Sequence, residues 1–76
     1  MIGFLNGRVA GRTADGCFVD VAGVGYRVAC SATTLTALPA DGGTVKLWVY
    51  THVRAEALSL FGFATEAEQR MFEALL

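Results

Sequence analysis

Alternation of apolar and polar residues with a period of two, interrupted by short glycine-bearing or charged segments, constrains this chain more than any other feature. Cys17, Val19 and Val21 lie on one side of a run whose other side is Phe18 and Asp20, and a second run, Tyr26 to Ala29, follows Gly23-Val24-Gly25. Glycine reaches positive φ without a Cβ clash, so this segment predicts a tight β-hairpin. Further on, Val45, Leu47, Val49 and Val53 alternate with Lys46, Trp48, Tyr50, His52 and Arg54, and another alternating run spans Leu58 to Phe63. Between these two runs Arg54-Ala55-Glu56-Ala57 predicts a second hairpin with a charged tip. Tips held out by a rigid scaffold are where function concentrates.

The rest of the chain completes a small barrel. Gly3 to Thr13 reads as a first strand in which Gly7 and Gly11 permit the bend or bulge that closure needs. Asp15-Gly16 makes a turn into the second strand. Ser31 is an N-cap candidate, and Leu35 and Leu38 stand three apart before Pro39, which predicts a turn or two of helix. Asp41-Gly42-Gly43 then leads into the longest strand, Thr44 to Arg54. Near the end, Thr65-Glu66-Ala67-Glu68 is a capping box, and Met71, Phe72, Leu75 and Leu76 fall on one face of the helix it starts. So short a helix needs that face to lie on the barrel or on a neighbouring subunit. The predicted fold is all-β, an OB-like barrel of five or six strands with a short helix after the third strand and a C-terminal helix. The barrel occupies residues 1–64, and 65–76 begins the helix.

Composition narrows the function. A chain of 76 residues supports one domain, and a domain of this size buries only about 60% of its unfolded surface. Hydrophobic residues make up 54% and nine glycines come in addition, above the roughly 45–50% of typical domains. Twelve alanines account for part of that excess. The remainder points to oligomerisation. A net charge of −1 argues against a domain that grips phosphates alone by counterion release. Residues Met1 to Ala10 lack a basic segment followed by a long apolar core, and no run approaches membrane-spanning length, so a cytoplasmic protein with no membrane contact is expected. Cys17 and Cys30 lie in separate strand-like segments without metal or redox spacing and read as small buried thiols in a reducing compartment.

No catalytic, metal or cofactor site is expected. His52 is the only histidine, too little for a zinc site or a histidine-based triad. The glycines at 23 and 25 do not open a helix with dinucleotide-binding spacing, and there is no phosphate-binding Gly-Lys-Ser/Thr loop. Glu66 and Glu68 suit the electropositive start of a helix. The stripe Lys46, Trp48, Tyr50, His52 and Arg54 interleaves cations with rings, a pattern that binds single strands. Long amphipathic side chains covering the outside of a sheet produce the same pattern, and packing against the helix or another subunit is the favoured reading.

Together with Met1-Ile2-Gly3, Gly7, Leu38-Pro39, Gly42, Glu68 and Phe72, the two hairpin segments resemble the N-terminal domain of the RuvA family, nearly end to end. The resemblance implies a non-catalytic scaffold in DNA recombination, repair and the SOS response. Members are tetramers of three-domain subunits that hold four-way junction DNA open and flat while a RuvB-like ATPase pumps the arms, with a RuvC-like resolvase as a further partner. The first domain, an OB-type barrel, forms the tetramer core. A second carries helix-hairpin-helix phosphate contacts and a third engages the ATPase, so this chain, which stops at Leu76, is expected to be one domain of a longer protein. In the family two adjacent acids after the matching Val-Arg form a pin at the junction centre. The corresponding residues here are Arg54, Ala55 and Glu56, with one acid in place of two. The alternative reading is an independent OB-type module that binds single-stranded nucleic acid or a protein.

Overall fold

In the computed structural model, which describes residues 1–76, the alternating runs form five strands and two helices. These are β1 (Phe4–Arg12), β2 (Gly16–Val21), β3 (Val24–Cys30), α1 (Ala32–Ala37), β4 (Thr44–Val53), β5 (Leu58–Phe63) and α2 (Glu66–Ala74). The strands close into a barrel in the order β1-β2-β3-β5-β4, with β4 returning to β1. This is the expected OB-like barrel, with five strands. Its one parallel pairing joins β3 to β5, with Val28 beside Leu60 and Cys30 beside Gly62.

Closure rests on β1 serving two neighbours. Phe4 to Arg8 pair with β4, while Arg8 to Arg12 pair with β2, and the register slips between Val9 and Gly11. That slip is a β-bulge, which sharpens twist and turns the strand from one sheet edge to the other. Inward residues of all five strands then meet in one core: Leu5, Val9, Cys17, Val19, Val28, Val45, Leu47, Val49 and Leu60. A period of two in each strand suffices to produce it, because each strand shows one face to the barrel interior.

Local signals differ from expectation at four places. The first hairpin turns on Ala22-Gly23, not on Gly23-Val24-Gly25. Ala22 has φ 52° and Gly23 φ 91°, and Gly25 lies within β3 opposite Asp20. A two-residue turn of type I′, which follows strand twist, has positive φ at both positions, and Asp20 supports it by accepting the Gly23 N–H at 2.8 Å. On β4 the fourth inward position is Thr51, which is buried, whereas Val53 is 63% exposed because the strand has left the barrel by then. The Thr51 hydroxyl accepts from the Ile2 N–H at 3.0 Å and donates to the Ile2 carbonyl at 2.8 Å, binding the chain start to the barrel wall.

Helix α2 holds to the barrel differently from its apolar pattern. Thr65 caps it as expected, its hydroxyl accepting from the Glu68 N–H at 3.2 Å. The Glu68 carboxylate, however, takes the hydroxyl proton of Thr65 at 3.0 Å, so the reciprocal half of the capping box runs between side chains. Phe72 packs on Tyr50, Phe61 and Phe63, with ring centroids 5.1–5.7 Å apart. Gln69 donates to the carbonyls of Gly3 at 2.9 Å and Val49 at 2.7 Å. Met71, Leu75 and Leu76 remain exposed. A single aromatic and an amide anchor do the work expected of four apolar residues, because consecutive residues on a helix diverge by 100° and only one narrow line faces the sheet.

Candidate nucleic-acid interface

The longest run of exposed residues lies in the β4–β5 hairpin. Residues 53 to 59 are all exposed, a run that begins at the end of β4 and continues into β5. Within it the Arg54 N–H donates to the Ala57 carbonyl at 2.8 Å, and the returning Ala57 N–H reaches the Arg54 carbonyl at 3.4 Å. Ala55 and Glu56 therefore occupy the outermost positions. Arg54, Ala55 and Glu56 sit together where the sequence placed them, and the Glu56 carboxylate is the only acidic side chain on the tip.

Two features of this hairpin were not anticipated. Val53 and Leu58 pair across the neck and are 63% and 60% exposed, so an apolar collar sits beneath the charged tip. Sequence alternation had assigned Val53 to the interior, and only the length of β4 relative to the barrel wall reveals otherwise. The second is the Arg54 side chain, whose Nε–H donates to Nε2 of His52 at 2.9 Å. Their i, i+2 spacing was visible in the sequence, but Arg54 had to remain on the same face as His52 after leaving the strand.

The stripe along the outside of β4 divides into three separate environments. At the end nearest α1, Lys46 places its ammonium 4.8 Å from the Phe4 ring centre and 4.7 Å from that of Trp48, and these two rings pack 5.7 Å apart. In the middle, Tyr50 faces Phe72 of α2. At the far end His52 and Arg54 join the tip. The stripe is thus largely packed against the helix and against itself, as favoured from the sequence. Lys46 already covers the faces on which a nucleobase would stack.

At the opposite side of the barrel, α1 is capped by Ser31, whose hydroxyl accepts the Thr34 N–H at 3.2 Å. Arg12 reaches across to the carbonyls of Leu35 and Pro39 and lies 3.7 Å from Asp41. A cation against the carbonyl end of α1 complements the helix terminus, and its role is structural.

Residues 1–62 match the family described as RuvA N terminal domain. Over all 76 residues the chain is 47% identical to the Holliday junction branch migration complex subunit RuvA of Geobacter metallireducens, covering 38% of that protein. The corresponding subunit of Symbiobacterium thermophilum is 49% identical over the whole chain, with 37% of its length covered, and that of Syntrophotalea carbinolica is 50% identical, with 38% covered. The chain thus spans well under half the length of these relatives.

Proposed function

Because the chain belongs to the RuvA N-terminal domain family, we propose that it is the non-catalytic core domain of a Holliday junction branch-migration complex and presents the Arg54-Ala55-Glu56 tip at the junction centre. The observation that carries this reading is the projecting hairpin with a lone carboxylate at its end. A carboxylate about 6 Å from a phosphate is repelled by roughly 0.7 kcal/mol at water's dielectric constant and roughly 2.8 kcal/mol at an effective value of 20. Such a charge discourages ordinary duplex from lying across the tip, whereas an opened junction leaves a space for it. The exposed Val53–Leu58 collar beneath adds an apolar surface of the kind that rests against unstacked bases.

The domain assembles into a tetramer in this reading, and several large apolar side chains outside the core suit such burial: Phe4, Val24, Met71, Leu75 and Leu76. In this reading phosphate grip and contact with a RuvB-like ATPase belong to domains other than this one, and a RuvC-like resolvase is a further partner of the complex. The net charge of −1 supports that division, since a domain of this charge binds DNA weakly by itself.

The test is the ratio of junction to linear-duplex affinity in the full-length protein at low salt. Glu56→Ala removes the repelling charge and lowers the ratio, and Ala55→Glu adds a second acid and raises it. A ratio unmoved by both substitutions refutes a working pin, and a monomer at micromolar concentration in sedimentation refutes the tetramer core. Tight single-strand binding by the isolated domain, abolished by Trp48→Ala, would favour an independent OB-type module.

A further inference from the structure

Cys17 and Cys30, read from the sequence as small buried thiols in separate segments, are brought onto one face by the β2–β3 pairing. Cys17 lies opposite Val28, and Cys30 is one pleat farther along β3, so both side chains are on the same face of the ladder. The Cys30 thiol donates to the Val28 carbonyl at 3.8 Å, and each thiol is the main influence on the other's ionisation. Between them the strands are pinched at Gly16, where a Cβ would stand 1.9 Å from the Val28 carbonyl oxygen and 3.0 Å from the Ala29 Cα. Only glycine permits that approach. Both cysteines are free.

Access to the pair is one-sided. Cys17 is 0% exposed. Cys30 is half-buried and lines a hollow of about 350 Å³ with Ala29, Phe61, Phe63 and Phe72, beside the polar Asp15 and Ser31. A reagent must therefore meet Cys30 first, with Cys17 behind it.

We propose that Cys17 and Cys30 form a built-in dithiol that small hydroperoxides oxidise to an intrachain disulfide, with Cys30 as the entry thiol and Cys17 as the resolving thiol. The neighbouring Cys30 thiol lowers Cys17 from 9.0 to about 7, against the upward push of burial and with help from Arg12. Cys17, with burial, pushes Cys30 far above the usual thiol range. Cys17 is thus the thiolate of the pair at neutral pH and the base for its neighbour. It takes the Cys30 proton as the Cys30 sulfur attacks the nearer peroxide oxygen. An S–O bond forms, the O–O bond breaks, and the farther oxygen leaves as hydroxide. Cys30, oxidised by two electrons, is now a sulfenic acid. The Cys17 sulfur then attacks the Cys30 sulfur, the S–O bond breaks, and the sulfenic hydroxyl departs with the Cys17 proton as water. Across both steps one peroxide is reduced and one disulfide forms.

Intact-mass analysis after exposure of the native protein to hydrogen peroxide at neutral pH tests this. The expected product is a monomeric chain lighter by two hydrogens, with both thiols lost to alkylation after denaturation and both restored by dithiothreitol. Cys17→Ser, which loses both the base and the resolving thiol, should form no intrachain disulfide, and Cys30→Ser should leave Cys17 unreacted while folded. A wild-type chain of unchanged mass would overturn the proposal. So would a chain carrying added oxygen on Cys30 with Cys17 still free, or a disulfide linking two chains. The wild-type readout stands even if a serine variant fails to fold.

Discussion

The Arg54 guanidinium and the His52 imidazole are joined by a hydrogen bond of 2.9 Å in which His52 Nε2 is the acceptor. Only a neutral imidazole protonated on Nδ1 can play that part. Around His52, Tyr50 lies along the same strand, with Ser59 across the ladder on β5. The side of α2 that reaches the barrel supplies Gln69 and Phe72, with Arg70 engaged by Glu66 and Glu73 next in sequence. At the edge of β4, Ile2 brackets Thr51, with the Met1 ammonium one residue before it. Arg54 and Glu56 are the charges of the tip itself.

The Arg54 Nε–H resonance should therefore be protected from exchange by its imidazole acceptor, as followed by NMR. His52→Gln keeps an acceptor and should retain that protection, and His52→Ala should abolish it. Stability should change by less than about 0.5 kcal/mol, since the pair lies at the surface.

Glycines in the β2–β3 hairpin should differ sharply in tolerance. Gly16→Ala drives a methyl into the Val28 carbonyl and should cost about 3 kcal/mol or more. Gly25→Ala meets nothing within 4 Å and has no positive φ, so it should stay within about 0.5 kcal/mol of wild type. Gly23→Ala, at φ 91°, should fall between, at about 1–2 kcal/mol. Urea denaturation of the three variants measures the ranking.

Thr51→Val conserves shape and removes the hydroxyl that serves both the N–H and the carbonyl of Ile2. The two backbone groups lose their partner in a part-buried site, and stability should fall by about 1–3 kcal/mol. Amide exchange at Ile2 should rise in the same variant, which separates this cause from general loosening of the core.

Stability should climb with pH across the titration of Cys17. In the fold this thiol is depressed from 9.0 to about 7, chiefly by the neighbouring Cys30 thiol. Between those values the unfolded chain binds more protons than the folded one, so unfolding free energy rises from about pH 7 to about pH 9. Above that range Cys30, held protonated in the fold, reverses the slope. The gain is lost as pH falls through about 7, and Cys17→Ser should remove the rise. Urea midpoints under reducing conditions measure it.

Much of the architecture was legible because barrel strands advertise themselves by a period of two. Cys17, Val19 and Val21 against Phe18 and Asp20, or Val45, Leu47 and Val49 against Lys46, Trp48 and Tyr50, need no tertiary information to assign faces. Thr65 with Glu68, and Ser31 before Thr34, announce helix starts through hydrogen bonds between near neighbours. The Arg54 to Ala57 tip was equally plain, since a short polar interruption between two alternating runs has few ways to fold.

Local pattern alone determined most of the inward faces, the Arg54 to Ala57 turn and where the helices begin, because those choices involve atoms only a few residues apart. Tertiary structure decided the rest. Whether Val53 is core or collar depends on where the barrel wall ends, and whether Met71 and Leu75 are covered depends on the line along which α2 meets Tyr50, Phe61 and Phe63. The meeting of Cys17 with Cys30 depends on register and on a strand approach that Gly16 alone allows. A period-two sequence specifies a face for each residue but not its neighbour on the next strand, and that neighbour is set only when the barrel closes.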